Sequence, residues 1–306
     1  MIAVVGGFGV GLTMRLNRAP EAGETVTGGV LSAGPGGKGS NQAIGIARLG
    51  HDVQLCTAVG TDAAGADAVT LWEGESVGWA GVVRTDEPTM TGFILVDSAG
   101  ENRIAIAPGA LGELTEQHID AFRDTVASAE LLLISLEVPL EAALHAARLA
   151  IELGTPCLLN PAPAWPLSDE HRIADIITPN SSEARILLGL DPADPRSDED
   201  IAVELAERLD CSVVLTLGSR GAIVVSGALV EHIAPAPVVH VVDTTGAGDA
   251  FAAALAVAVV EGAPLAEAAR WAASAGAHAV TVAEVIPSLP HRTDLGPIPT
   301  PPKESA

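Results

Sequence analysis

The chain has 306 residues, room for one large α/β domain with or without a smaller appendage, and at 48% hydrophobic it can bury a sizeable core. Aromatics make up only 3%, with no Tyr, so that core must be built from Ala, Val, Leu and Ile. A formal net charge of -23, from 16 basic and 39 acidic residues, argues against nucleic acid or an anionic membrane as a general partner; an anionic ligand has to be met by local devices.

Cys56, Cys157 and Cys211 are odd in number, far apart and in no CxxC pattern, so neither a disulfide framework nor a zinc site is indicated and a reducing cytoplasm fits. Ile2 to Val5 read as a strand with no basic segment before it, so no signal peptide is expected. The longest apolar run, Ala250 to Val260, is too short to span a bilayer.

In chain order, the first strand ends in Gly6-Gly7-Phe8-Gly9-Val10-Gly11, on which no G-x-G-x-x-G can be laid. Residues 12–33 alternate (Leu12, Met14, Leu16; Thr25, Thr27) and are broken by Pro20 and Gly23, which predicts short strands rather than a βαβ unit. Gly34-Pro35-Gly36-Gly37-Lys38-Gly39-Ser40-Asn41 precedes a helix through Leu49 that Gly50 stops. A phosphate-binding Walker loop needs Ser or Thr directly after its Lys, and Gly39 stands there instead. The chain has only two lysines, Lys38 here and Lys303 in the tail, which singles out Lys38. Lys38 and Asn41 could bind substrate hydroxyls, or the loop could merely pack its helix. Val53, Leu55, Thr57 and Val59 alternate as a strand, and Ala64 to Val77 read as helix. Phe93 to Val96, the turn Asp97 to Gly100 and Ile104 to Ile106 read as a hairpin. With residues 12–33 it would form a small sheet apart from the core, a lid.

From residue 130 strands and helices alternate, which argues for a parallel sheet with helices on both faces. Leu131 to Ile134 lead to Glu137; Cys157 to Leu159 lead to Asn160-Pro161; Ile176-Ile177 lead to Thr178-Pro179-Asn180; Val213 to Leu215 lead to Thr216 and the loop through Gly221. Ligands of such sheets lie outside the carboxyl ends of the strands, where these polar residues collect. Asn180 and Glu183, three apart at a helix start, suit a hydrated Mg²⁺ as well as an ordinary helix cap. The eight histidines show no ligand spacing.

The stretch Asp243-Thr244-Thr245-Gly246-Ala247-Gly248-Asp249 carries the most chemistry. It follows an apolar run (Val238, Val239, Val241, Val242) that reads as a buried strand and opens the Ala-rich helix from Ala250. Gly246 and Gly248 allow a tight turn whose N–H groups converge at a helix N-terminus, which favours an anion. A carboxylate there, Asp249, would repel a bound phosphate unless its task is to take the proton of the attacking hydroxyl. The stretch reads as a phosphoryl-transfer site, with a plain glycine turn and a helix-start Asp as the alternative. After Ala279 comes Val280 to Ser288, then a tail with Pro290, Pro297, Pro299, Pro301 and Pro302, expected to be flexible over residues 291–306.

Taken together, Gly36 to Asn41, Asn180 to Glu183, Thr216 to Gly221 and Asp243 to Asp249 resemble the four motifs of the ribokinase-like (PfkB) carbohydrate kinases, in order and spacing over nearly the whole chain. The resemblance implies an α/β core (residues 1–11, 34–87 and 108–290), a β lid (12–33 and 88–107) and a homodimer through the lids. It also implies transfer of the ATP γ-phosphate to a sugar hydroxymethyl group, with a nucleoside kinase or a non-catalytic sensor as alternatives. Asp249 would then be the base, and the backbone of Gly246, Ala247 and Gly248 the anion hole. Gly9, Gly11, Gly37, Lys38, Asn41 and Glu137 match sugar-contacting positions; Thr216, Gly218, Ser219 and Gly221 match the loop along the nucleotide; Asn180 and Glu183 match the motif for Mg²⁺ and phosphate. Asp243, Thr245, Ala279, Val282, Glu284 and Ser288 match a K⁺ site. Two departures stand out. Glu284 replaces a Gly, and Gly9 and Gly11 replace an Asn and an Asp that grip ribose, which leaves space for a bulkier substrate.

Overall fold

The computed structural model describes residues 1–99, 101–166 and 173–298, apart from the side chain of Asn102. Its strands, in chain order, are β1 (Ile2–Val5), β2 (Gly9–Arg15), β3 (Val30–Gly36), β4 (Val53–Gly60), β5 (Gly78–Thr85), β6 (Thr91–Val96), β7 (Asn102–Ala107), β8 (Leu131–Ser135), β9 (Cys157–Asn160), β10 (Ile176–Ile177), β11 (Ser212–Thr216), β12 (Ala222–Ser226) and β13 (Leu229–Ile233). They form two sheets. The large one runs β13-β12-β11-β10-β9-β8-β1-β4-β5, parallel from β11 to β5, with the antiparallel β12–β13 hairpin closing one edge. The small one runs β3-β2-β6-β7, with β2 and β6 parallel and the outer pairs antiparallel.

Side chains of a strand alternate between faces, and β1 divides accordingly. Ile2 and Val4 join Leu55, Leu133 and Leu158 against the helices Lys38–Arg48, Ala247–Val260 and Leu265–Ala279. Ala3 and Val5 join Leu132, Ile134 and Leu159 against Leu140–Leu153 and Asp198–Leu209 on the other face. The helix Ala247–Val260 is buried from Asp249 to Ala258 and hydrophobic on every side, so its seven alanines from Ala247 to Ala258 let it lie close to its neighbours. The chain leaves β1 for β4 on one side and returns to β8 on the other, which makes the end of β1 the point where strand order reverses and a ligand crevice opens.

Three expectations need correction. The run Val238–Val242 is not a buried strand: Val239 is fully exposed, Val241 and Val242 are 55% and 50% exposed, and the run pairs with no strand among the described residues. β13 already closes that edge of the sheet, and the N–H groups of Val242 and Asp243 donate instead to the carbonyl of Val280 at 2.8 and 3.3 Å. The flexible tail does not begin at 291. Arg292 forms a bidentate pair with Glu261 and stacks 4.9 Å over Trp271, whose indole N–H donates to the Gly296 carbonyl at 2.8 Å, and Leu295 is buried. An aromatic, a cation and a leucine outweigh the prolines here; residues 299–306 lie outside the described residues. The small sheet takes in more than residues 12–33 and 88–107, since β2 starts at Gly9 and β3 ends at Gly36. No helix among the described residues is long and apolar enough to cross a membrane.

Candidate active site

A cavity of ≈ 1020 Å³ lies between the two sheets, lined from below by Lys38, Asn41, Glu137, Asp249 and the segment Val241–Gly246, and from above by the small sheet. Its floor is assembled from strand ends. The helix Ala247–Val260 begins at Gly246, which sits at φ 83 where a side chain is disfavoured and where a β-carbon would lie 2.9 Å from Val285 Cγ1. The first N–H groups of a helix have no partner inside it. Here they adjoin Asp249, only 6% exposed.

The Asp249 carboxylate is fixed from the first turn of the helix Lys38–Arg48. Asn41 Nδ2 donates to its Oδ2 at 2.8 Å, and Gln42 Nε2 donates to its Oδ1 at 3.2 Å. Gln42 Nε2 also reaches Asn160 Oδ1 at 2.9 Å, and Asn160 Nδ2 donates to the Thr178 carbonyl at 3.1 Å, so the Asp249 carboxylate is tied through two amides to the ends of β9 and β10. Gln42 is fully buried. It was not among the residues expected from sequence; the available signal was a second amide side chain in a helix whose neighbouring positions are Gly, Ala and Ile. Asn41 lines the cavity, and its Oδ1 is buried without a hydrogen-bond partner.

Gly37 precedes this helix at φ 94, and a β-carbon there would lie 2.6 Å from the Gly7 carbonyl, so the loop closes onto the end of β1 only as glycine. The Lys38 N–H donates to Glu137 Oε2 at 2.6 Å. Burial pushes the Glu137 carboxyl up to about 7, against the pull of Lys38. The Asp249 carboxylate, with Glu137 and Glu183 beyond it, holds the Lys38 ammonium above its ordinary value despite burial. Lys38 is therefore a charged group among three carboxyls.

Asn180 and Glu183 form a reciprocal helix cap: Asn180 Oδ1 accepts from the N–H groups of Ser182 and Glu183 at 3.0 and 2.9 Å, while Glu183 Oε2 accepts from the Asn180 N–H at 2.8 Å. Burial raises the Glu183 carboxyl, and Lys38 and Asp249 both act on it, which places it beside the floor. Thr216 is joined to this turn, its N–H donating to the Pro179 carbonyl at 2.9 Å. Beyond it Gly218, Ser219 and Arg220 make a single turn that closes at Gly221, and Arg220 pairs with Asp198, itself paired with Arg185.

Asp243 clasps two loops. Its Oδ1 accepts from the N–H and hydroxyl of Thr245 at 2.9 and 2.7 Å, and its carboxyl also accepts from the Glu284 N–H. Burial raises that carboxyl, but these bonds outweigh it and hold it below the ordinary range. Ala279 accepts a long 3.3 Å bond from Val282, Ser288 is fully buried with its hydroxyl on the Val285 carbonyl, and Glu284 takes a φ of 66. Arg48 Nη1 anchors the second loop through the carbonyls of Ile286 and Leu289 at 2.7 and 2.8 Å.

Gly9 and Gly11 both line the cavity, but they differ. A β-carbon at Gly9 would lie 2.5 Å from Met90 Cε and 2.7 Å from the Met90 carbonyl, whereas at Gly11 the nearest atom is Ile94 Cδ1 at 3.5 Å. The expectation that both glycines open space for substrate holds only for Gly11; Met90 fills the place beside Gly9.

Residues 8–292 match the model of the pfkB family carbohydrate kinases. The chain is 35% identical over 303 residues to a ribokinase of Schizosaccharomyces pombe, covering 94% of this chain and 95% of that one. Its structure is similar to a crystal structure of ribokinase from Thermotoga maritima (TM-score 0.87, 31% identity, 96% and 97% of the two chains). It is similar also to Arabidopsis thaliana ribokinase complexed with ribose and ATP (TM-score 0.85, 29% identity, 96% of each chain). This chain belongs to the pfkB family and is an ATP-dependent carbohydrate kinase.

Proposed function

We propose that the enzyme transfers the ATP γ-phosphoryl group to a sugar hydroxymethyl group, with Asp249 as the general base. The observation that carries this reading is a buried carboxylate, oriented by Asn41 and Gln42, at the N-terminus of the helix Ala247–Val260. Asp249 takes the hydroxyl proton, the oxygen bonds to the γ-phosphorus, and the bond from that phosphorus to the bridging oxygen breaks, releasing ADP. The N–H groups of Gly246, Ala247 and Gly248 face the charge that collects on the transferred group. Lys38, Asn41 and Glu137 hold the sugar, and Gly9 and Gly11 lie above it. The nucleotide lies along Thr216, Gly218, Ser219 and Gly221.

Mg²⁺, when bound, neutralises phosphate charge. Among the described residues no cluster of three His, Cys, Asp or Glu could hold it directly, and Asn180 Oδ1 is already used in the cap, so the fit is through water on the second oxygen of Glu183. K⁺ suits main-chain oxygens of Thr245, Ala279, Val282 and Glu284 with Ser288, since the Asp243 side chain serves as the clasp between the loops. The face of the small sheet opposite the cavity, with Leu31 59% and Phe93 53% exposed, is the surface for a homodimer. Light scattering of Phe93→Asp should give a monomer.

The deciding experiment is ADP release over a panel of pentoses, hexoses and nucleosides, with and without K⁺. Turnover of an acceptor with a free hydroxymethyl group is expected, and no turnover of any would refute the reading.

A further inference from the structure

The chain passes from the large sheet to the small one through residues 86–90, between β5 and β6, and this crossing is bound to the core. Asp62, at the N-terminus of the helix Ala63–Gly74, holds it with both carboxylate oxygens. Its Oδ1 accepts from the Thr89 hydroxyl at 2.6 Å and from the Gly65 N–H at 2.9 Å, and its Oδ2 accepts from the Thr89 N–H at 2.9 Å. The buried Thr89 hydroxyl accepts in turn from the Gly60 N–H at 3.0 Å. To either side, the Ala110 N–H donates to the Pro88 carbonyl at 2.8 Å and the Val10 N–H to the Met90 carbonyl at 2.9 Å. The approach is so close that a β-carbon at Gly60 would lie 2.6 Å from the Glu87 carbonyl and 2.8 Å from the Thr89 nitrogen.

This clasp fixes where the Met90 side chain stands. Met90 packs against the core cluster that contains Leu111, Leu136 and Val138, and it lines the cavity together with Gly9, Lys38 and Glu137. Its Cε lies 2.5 Å from the place of a β-carbon at Gly9, so it fills the room that a side chain on β2 would take where floor and roof meet. Ile104 and Ile106 stand well exposed on the edge strand β7, whereas Met90 is half-buried on a backbone pinned from both sides. A methionine side chain is flexible, but one on a held peptide can yield only by changing rotamer. Thr216, Gly218, Ser219 and Gly221 do not line this cavity.

We propose, resting on the sugar-transfer reading above, that Met90 is a specificity-determining residue, the wall that limits the size of the acceptor, and that Asp62 is a positioning residue that holds this wall through Thr89. An acceptor that ends short of the Met90 methyl is aligned with Asp249. One that carries further atoms there has to displace a side chain whose backbone cannot retreat. The thioether is only a weak hydrogen-bond acceptor, so the wall excludes by bulk and returns little to a hydroxyl pressed against it.

The test is coupled ADP release by the full-length chain over pentoses, hexoses and nucleosides, for the wild type, Met90→Leu, Met90→Ala, Asp62→Asn and the double variant Asp62→Asn/Met90→Ala. The readout is the ratio of kcat/KM for a bulkier acceptor over a smaller one, which does not depend on the fraction of enzyme that is folded. Met90→Ala should raise this ratio about tenfold for at least one pair, the scale of a methylene in a pocket, while Met90→Leu, which keeps the volume, should leave it within about threefold. An amide at residue 62 cannot accept at both positions, so Asp62→Asn should raise the same ratio about threefold and add nothing in the double variant. KM for ATP should stay within roughly twofold throughout. Ratios that stay within about twofold for every pair in Met90→Ala would overturn the inference and leave the sugar-kinase reading standing. An Asp62→Asn effect that multiplies with that of Met90→Ala, or that lowers every acceptor alike, would remove Asp62 from it. No ADP release with any acceptor by any of these proteins would remove both readings.

Discussion

On the floor of the cavity the polar side chains hold one another. Asn41 and Gln42 grip Asp249, Gln42 also grips Asn160, and Glu137 accepts from the Lys38 backbone. Among the described residues the roof has no such network: it shows bare peptide at Gly34, Gly11 and Gly92, and Ile104 and Ile106 are 58% and 63% exposed. The floor is built into the packed end of a nine-stranded sheet, the roof into four strands with one face against the cavity. Groups locked by packing and hydrogen bonds keep a reacting geometry, while a surface without such locks can change its occupant at little structural cost. Floor substitutions should therefore lower turnover with every acceptor, and roof substitutions should change which acceptor is used.

The largest effect belongs to Asp249→Asn. It should lower kcat at least about 10²-fold with any acceptor, the lower range for a positioned base, with ADP affinity by calorimetry unchanged. Near-normal turnover would remove Asp249 from the chemistry. Gln42→Leu comes next. It removes one donor from Asp249 and leaves Asn160 Oδ1 without its partner, and a hydrogen bond to a charged group is worth about 1.5–3 kcal/mol, so kcat should fall about tenfold or more. KM for ATP should not move. If Gln42 acts by positioning the base, adding Gln42→Leu to Asp249→Asn should cause no further loss; two additive losses would show a merely structural role.

A roof substitution of smaller effect is Gly11→Asp. Residue 11 faces the cavity with room for a β-carbon, and if it lies above the sugar as proposed, a carboxylate there adds an acceptor for sugar hydroxyls. Ribose kcat/KM should rise by about tenfold, the scale of one charge-assisted bond. An unchanged ribose KM would mean that residue 11 does not meet the sugar.

The sequence made the floor more legible than the roof. Leu131–Ile134, Cys157–Leu159 and Val213–Leu215 are short apolar runs followed by polar residues, and each is a buried strand whose end reaches the site. Val238–Val242 has the same composition and lies exposed, because burial depends on a neighbouring strand that composition does not report. Asp249 was conspicuous as a carboxylate in an anion trap. Gln42 was not, since its partner lies 207 residues away and only the crossing of two helices brings them together. Gly9 and Gly11 are the same letter two residues apart, yet Met90 crowds a β-carbon at the first, while one at the second meets only an ordinary contact with Ile94. The in-register glycine row was invisible because Gly34, Gly11 and Gly92 belong to three separate segments until strand pairing aligns them.

Glu137 lets the floor be tested by pH. Burial lifts its carboxyl to about 7, so between the ordinary carboxylate value and about 7 the folded chain keeps a proton that the unfolded chain has lost. Its contribution to stability is complete below that window and disappears as pH rises through about 7. Urea midpoints should therefore fall more steeply from pH 5 to pH 7.5 in the wild type than in Glu137→Gln. The ionised carboxyl is the better acceptor for sugar hydroxyls, so acceptor KM should fall severalfold over the same rise. Parallel urea curves for the two proteins would place the Glu137 titration elsewhere.

The smallest effect is expected where the floor carries strain. Glu284 sits at φ 66 and ψ 152, in a region left almost entirely to glycine, which strains other residues by about 1–3 kcal/mol. The strain is held in place because the Glu284 N–H is bound by Asp243 on one side of the loop and Arg48 grips the carbonyls of Ile286 and Leu289 on the other. Glu284→Gly keeps both clasps and removes the side-chain clash, while glycine's greater freedom in the unfolded chain costs about 0.5–1 kcal/mol. The net gain should be about 1 kcal/mol, read as a melting temperature about 2 °C higher. If the carbonyls of this loop bind K⁺, the gain should be present without KCl, and the concentration of KCl that half-activates the enzyme should move only slightly, since the main-chain oxygens stay where the clasps hold them. A large loss of K⁺ activation would instead mean that the Glu284 side chain, and not the loop backbone, sets the cation site.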